Sequence, residues 1–427
     1  MQTTQSLYDS VILRNEEGLK KKNKVFVFIL FLISPLLSLA IALKNYRSSW
    51  AKNVVWLFVT FYGYTLVISN EGMDANSYRD KFLHMAQAEV TLDGFIDILY
   101  DGESTYLDIV QPLLSFIVSR FTYDHRILFL TFAAVFGYFY SRNIWYLIEK
   151  AGPKLKKEAI PILITFAFIV GFWQINGFRM WTAAHIFFCG AISYIYEKQK
   201  RGLFLCFLSV FVHFSFVLPI LIILFYSVAR NRPHLYFWAF IATFFLREIN
   251  LSAVGAILET VVPDALQGKV AGYTNEDYAS KSGNRENWSW HARYYGKALR
   301  WVVIIFVSTI YFKGLKYLKT HESLYSLYCF SLLFLAIGSV VAMVPSGGRF
   351  VTIATLFAVA SIFLYIQYAP RDEFTKRFIP LSIPALILYC VVALRLGFNT
   401  IGIMTVFGNP VVALFWDVEI ALIEFIK

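Results

Sequence analysis

A small set of polar residues interrupts long apolar runs, and their types suit proton transfer and the holding of phosphate. Asp74, Tyr78 and Arg79 follow one run. Gln174, Asn176 and Arg179 lie between two others, and His213 sits inside a fourth. Ser346, Gly347, Gly348 and Arg349 form another break, and residues 284–297 add Arg285, His291, Arg293 and Lys297. An arginine fork holds two phosphate oxygens and stays protonated. An imidazole or a carboxylate can take a proton from a hydroxyl. Each residue alone has an ordinary reading. Arg179 and Arg349 could snorkel to headgroups, Asp74 could cap a helix from Ala75, and His213 could be a hydrogen-bonded helix breaker. Their convergence on one face is what marks a site. A charge at mid-membrane costs about 2.5–3.5 kcal/mol or more, so those that persist invite a functional reading. His84, His125, His185, His234 and His321 have no second feature beside them and are expected to be structural.

The elements that must position these groups are membrane helices. Of the 427 residues 58% are hydrophobic and 16% charged, against about a quarter charged in soluble domains. Blocks such as 25–43 and 127–148 approach the ~20 residues that span a bilayer as a helix. Period-two alternation, the mark of a strand barrel, is absent. The expected fold is an all-α polytopic membrane protein with about 11–13 transmembrane or re-entrant helices. Residues 1–24 read as a cytoplasmic arm and 25–427 as the membrane domain. The first apolar block lacks a small-residue cleavage site and is expected to remain in the mature protein. Cys189, Cys206, Cys329 and Cys390 lie inside apolar blocks without metal-type spacing.

Six segments rich in Lys and Arg (44–52, 150–157, 198–201, 230–232, 313–319 and 371–377) are expected on the cytoplasmic side. The net charge of +11 is therefore an orientation signal, not a nucleic-acid footprint. Residues 70–108 carry nine acidic and two basic residues. Two extracytoplasmic loop regions are expected, about 70–126 and 263–298. Residues 203–229 are too short for two full spans and predict two short helices meeting near His213. Residues 25–43, basic at both ends, are either a hairpin turning at Ser34-Pro35 or a true span. Residues 411–426 either span or lie in the interface. The aromatics Trp288, Trp290, Tyr294 and Tyr295 suit a sugar face or an interfacial belt. No Walker motif or nucleotide loop is present, which argues against an ATP-driven transporter and against a nucleotide-sugar transferase.

The run from Gln174 through Arg179 to Trp181 resembles the Arg-centred motif of EpsG-type, Wzy-like polysaccharide polymerases. The apex Val212-His213-Phe214-Ser215 and the upstream Met73-Asp74-Ala75-Asn76-Ser77-Tyr78 are similar to other elements of that family. So are Gly348-Arg349-Phe350 and Gly408-Asn409-Pro410. The resemblance covers about residues 53–426. Met180 departs from the usual Gln, and the first 24 residues have no counterpart.

The resemblance implies an inverting, GT-C-like glycosyltransferase in the bacterial inner (cytoplasmic) membrane with its active face extracytoplasmic. It would move a growing glycan from polyprenyl diphosphate, such as undecaprenyl diphosphate, onto a second lipid-linked repeat. The product would be O-antigen, capsule or exopolysaccharide, made without cofactor or metal. Arg179, Arg349, Arg285 and Arg293 would bind the diphosphate. His213, or failing that Asp74, would be the catalytic base. Tyr78, Gln174, Asn176, Trp288, Trp290, His291 and Tyr294 would hold sugar. The expected partners are the lipid-linked donor and acceptor, membrane lipids and a chain-length regulator, with no nucleic acid. An O-antigen ligase and a lipid-linked oligosaccharide flippase are the rival readings.

Overall fold

The computed structural model describes residues 24–68, 74–88, 90–100, 108–246, 289–344, 346–370 and 373–426. Arg285, Trp288 and the N-terminal arm up to residue 23 lie outside them. The described chain is a helical bundle with isolated bridges and no named strand. In chain order the helices are α1 (Lys24–Ile33), α2 (Pro35–Lys44), α3 (Ala51–Tyr64), α4 (Asp74–Gln87), α5 (Leu92–Tyr100) and α6 (Val110–Ser119). Then come α7 (His125–Lys150), α8 (Ile160–Ile169), α9 (Phe178–Ile195), α10 (Arg201–Val212), α11 (Val217–Ala229) and α12 (Pro233–Leu246). After the undescribed stretch, α13 (Trp290–Thr309) continues through a π-turn into α14 (Leu315–Lys319). The rest are α15 (Glu322–Val341), α16 (Gly348–Tyr368), α17 (Glu373–Gly397), α18 (Ile403–Phe407) and α19 (Pro410–Phe415). Six helical stretches among the described residues are long and apolar enough to cross a membrane, so the protein is multi-pass. Shorter apolar helices fill in beside them.

Local chemistry sets the breaks. Ser34 caps α2, accepting from the Leu37 N–H, and Pro35 opens the helix where its missing N–H costs nothing. The chain reverses there, because the Ser38 hydroxyl donates to the Val27 carbonyl at 3.0 Å. A straight helix would hold those residues about 16 Å apart. The 25–43 block is thus a folded-back hairpin. Residues 203–229 also form two short helices, meeting at His213 and the 3-10 turn Phe214–Phe216. α9 and α10 pack almost backbone to backbone. A Cβ on Gly190 would stand 2.6 Å from the Gly202 carbonyl oxygen, so only glycine fits.

The basic segments gather at one end of the bundle. Lys52 pairs with Glu149 at 3.0 Å, Lys150 with Glu197 at 2.8 Å and Lys198 with Glu322 at 3.6 Å. Lys156 donates to the Ile366 and Ala369 carbonyls, and Asn231 to Ser326. The start of α9, the tip of α10 and the start of α16 lie at the opposite end.

Two expectations need correction, and one alternative left open is decided. Residues 70–126 are not a loop. They contain α4, α5 and α6, and α7 has already begun at His125, because Tyr78, Phe82 and Met85 recur at helical spacing and are buried. Residues 290–297 belong to α13. The final apolar block does not span, since Pro410 and the extended backbone after Phe415 keep its helix to six residues. That tail is anchored by a Gly402–Ala421 bridge and the Leu422 N–H to the Ile401 carbonyl.

Single cysteines at Lys154 and Lys200, in a background lacking the four native thiols, should react with an impermeant maleimide from one membrane face. Cysteines at Asp74 and Ser289 should react from the other. Labelling of all four from the same side would contradict this arrangement.

Candidate functional site

Two neighbouring features occupy the end of the bundle away from the basic segments. The first is a knot of charge around Asp108, whose 6% exposure makes it a buried carboxylate. Its Oδ1 accepts the Phe214 N–H at 2.6 Å, and its Oδ2 accepts from Arg179 Nη1 at 3.1 Å. His213 Nδ1 lies 3.5 Å from the same Oδ2. Arg179 Nε donates to the Tyr78 hydroxyl at 3.2 Å. One carboxylate thus joins the lead into α6, the start of α9 and the α10–α11 apex, and Arg179 extends the knot to α4. Burial would raise the Asp108 pKa. The approach of His213, the Phe214 N–H and the Arg179 charge outweigh it and hold the carboxyl below its ordinary range. Burial pushes the Tyr78 phenol the other way, upward, so it stays a neutral acceptor for Arg179.

A second polar link shapes the turn that presents these groups. α8 ends at Ile169, which leaves the Val170 carbonyl without a helical partner, and His185 Nε2 meets it at 3.2 Å. Asn143 fixes the ring from behind, donating to the His185 carbonyl at 2.9 Å. His185 is therefore structural, and it stabilises the 3-10 segment Phe172–Gly177 that carries Gln174 and Asn176. Asn176 Oδ1 accepts the Ala75 N–H at 3.2 Å. This cap leaves the exposed Asp74 carboxylate without a hydrogen bond among the described residues, within range of the Arg179 charge. Asp74 stands by Gly177, close to Trp181.

The second feature is a pair of cavities sharing the Ile169, Gln174, Tyr295 and Tyr389 walls. One, of about 370 Å³, is lined by Arg293, Lys297 and Arg300 from α13, Trp181 from α9, and Gly348 and Thr352 from α16. The three cations recur at i, i+4 and i+7, one face of a helix. The other, of about 250 Å³, is lined by Trp173, Gln174, Asn176, Asn399 and Thr400 and has no charged wall. Non-helical backbone at membrane depth survives only where it is buried in protein or lines a cavity, and the 172–177 segment does the second.

The expected site residues divide accordingly. Arg179, Tyr78 and His213 come together, and Gln174, Asn176 and Arg293 line the cavities. Arg349 does not join Arg179. It is exposed at the start of α16, next to Gly348 in the cavity wall. Trp290 and Tyr294, 67% and 47% exposed, line neither cavity: Tyr294 is one residue off the Arg293–Lys297 face, and Trp290 is on that face but a turn earlier, at the start of α13. His291 is bound to the Ser289 hydroxyl at 2.8 Å, outside both cavities. His213 also lies outside their walls. Sequence reasoning missed Asp108, which sits among eight other acidic residues in its segment. It missed the Arg300 part of the cationic face, whose spacing shows once the segment is read as helix. It also passed over Trp173, Trp181, Asn399 and Thr400.

Removing one partner of a buried ion pair costs about 3–5 kcal/mol, and the 34% exposure of the Arg179 side chain sets this pair near the lower bound. Asp108→Ala should destabilise the detergent-solubilised protein by about 3 kcal/mol, and Asp108→Ala with Arg179→Ala by clearly less than the sum of the singles. Additive losses in thermal unfolding would show that the pair is not coupled. With its folded pKa depressed, the Asp108 contribution is whole above the ordinary carboxylate range and fades as pH falls through the lower folded value. The acid limb of stability due to Asp108 should therefore lie below that range and vanish in Asp108→Asn.

No curated protein and no solved structure matches the chain, so the expected likeness to GT-C folds rests on the sequence resemblance alone. The family model described as the EpsG family matches residues 53–402. That span takes in Asp74, Asp108, Arg179, His213, the α13 cations and both cavities. With most of its length and its whole candidate site inside the match, the chain belongs to the EpsG family.

Proposed function

We propose that this protein polymerises lipid-linked sugar repeats, transferring a growing glycan from polyprenyl diphosphate to a hydroxyl of a second lipid-linked repeat. Membership of the EpsG family supports a membrane polysaccharide polymerase or a related glycosyltransferase-like enzyme. The observation that carries the finer reading is the 370 Å³ cavity with Arg293, Lys297 and Arg300 on one wall, at the end opposite the basic segments. By the orientation rule for basic segments, that end is extracytoplasmic in a bacterial inner membrane.

Diphosphate gains charge as the glycosidic bond breaks, and fixed cations in a water-poor cavity stabilise that charge best. Arg293, Lys297 and Arg300 are the diphosphate ligands in this reading, with Arg349 beside the mouth. Arg179 is committed to Asp108 and Tyr78, so its role is to hold α4 and the α10–α11 apex in place. Asp74 is the base the geometry favours. Its carboxylate is exposed, its cap function is taken by Asn176, and it stands beside the Trp181 wall. His213 is turned toward Asp108. Direct attack by the acceptor hydroxyl gives inversion at the anomeric carbon.

Purified protein given a synthetic polyprenyl-diphosphate repeat, with chelator present, should make a ladder of products on a gel. A single addition to a non-repeat acceptor would point to a ligase, and no product at all would refute the polymerase. Asp74→Asn should lower kcat by about 10²–10⁴-fold with donor binding unchanged. His213→Gln should lower it less. The reverse order would return the base role to His213. Lys297→Ala combined with Arg300→Ala should weaken binding of undecaprenyl diphosphate at least tenfold.

A further inference from the structure

We infer that the uncharged 250 Å³ cavity is a subsite for a neutral sugar ring of the lipid-linked substrate, separate from the diphosphate cavity beside it. The inference rests on the polymerase reading above and assigns the second cavity within it. Its wall carries the side-chain kit that recognises carbohydrate. Trp173, Tyr295 and Tyr389 supply aromatic surface, and Gln174, Asn176 and Asn399 supply amides that both donate and accept.

The amides are available. Those of Gln174 and Asn399 make no hydrogen bond to another described residue, though both side chains are half-buried. The amide nitrogen of Asn176 is likewise uncommitted, its oxygen alone being used by Ala75. An acyl or prenyl chain in this cavity would strip water from three amides and return nothing to them, so the occupant must bring hydroxyls. The walls hold no Lys or Arg, which argues against an anionic ring. The aromatic floor is rigid. Tyr295 stacks on Tyr389 with centroids 5.7 Å apart, tying α13 to α17. Trp173 lies flat against α17 at Gly397, where a Cβ would stand 2.7 Å from the indole Cγ, so only glycine admits the ring.

The arrangement also sets an order along the substrate. Gln174, Tyr295 and Tyr389 line both cavities, so a ring in the neutral one adjoins a diphosphate in the basic one. Asp74 is tied in through Asn176, which caps its helix and lines the neutral cavity.

The test uses the full-length purified protein and two probes, a panel of neutral methyl hexosides read by tryptophan fluorescence and undecaprenyl diphosphate read by equilibrium binding. At least one hexoside should bind. Asn399→Ala, whose residue lines the neutral cavity alone, should weaken it about tenfold while leaving undecaprenyl diphosphate binding within twofold. Lys297→Ala with Arg300→Ala should do the opposite. Asn399→Gln should recover part of the lost affinity, which a folding defect would not allow. Binding of no neutral hexoside, or loss of both probes in every variant, overturns the subsite. Polymerisation of a lipid-linked repeat without hexoside binding sinks this inference alone. Hexoside binding with no polymerisation of any repeat sinks the polymerase reading and leaves a sugar-binding cavity.

Discussion

The site end of this bundle depends on one buried carboxylate. Asp108 has four elements to reconcile and two oxygens to do it with. It accepts a backbone N–H from the α10–α11 apex and a guanidinium N–H from α9, and it stands against His213. Arg179 relays the constraint to α4 through Tyr78. Apart from α9, none of these elements is long enough to be fixed by hydrophobic length alone. α10 and α11 have 12 and 13 residues, and α4 lies outside the apolar helices. In lipid, apolar packing between helices has little solvent-driven force behind it, so polar contacts and close backbone approach decide geometry. Asp108 and Arg179 supply the first, and the Gly190–Gly202 contact supplies the second.

The same logic explains why the cavities lie where they do. A helix that stops inside a membrane exposes carbonyls that need partners. α8 stops at Ile169, and the resulting debt falls on Val170, which His185 meets, and on the 172–177 segment, whose Gln174 and Asn176 side chains line the cavity. The cavity is the consequence of breaking a helix in a place where the broken part cannot face lipid. Polar side chains then persist on it because they face water or a polar substrate, not acyl chains.

How much of this was legible in the sequence varies with the kind of information involved. The apolar blocks and the two short helices meeting at His213 could be read directly, because length and basic flanks are local signals, whereas Ser34-Pro35 marked a possible turn without deciding between a hairpin and a span. The sharing of one end by the basic segments could be read for the same reason. Arg179 and His213 could be picked out as residues out of place in lipid. Their partner could not. Asp108 is one carboxylate among nine in residues 70–108, and only the three-dimensional path shows which one reaches Arg179. Arg349 and Arg179 look equivalent in sequence, each opening a helix after a polar break, but only one of them meets a carboxylate. Asn399 and Thr400 were invisible as candidates, because an amide and a hydroxyl at the end of a helix are ordinary capping residues in any chain.

The division of cations between the two features has a mechanistic consequence. Arg179 is neutralised where it stands, so its charge is spent on architecture. Arg293, Lys297 and Arg300 face a cavity from a single helix, and like charges at that spacing repel. In the proposed reading, an anionic group bound there would touch α13, α9 and α16 at once, since all three line the cavity. Tyr295 on the same helix stacks on Tyr389, and both also line the neighbouring neutral cavity. In that reading one helix, α13, therefore meets both the charged and the uncharged part of the substrate.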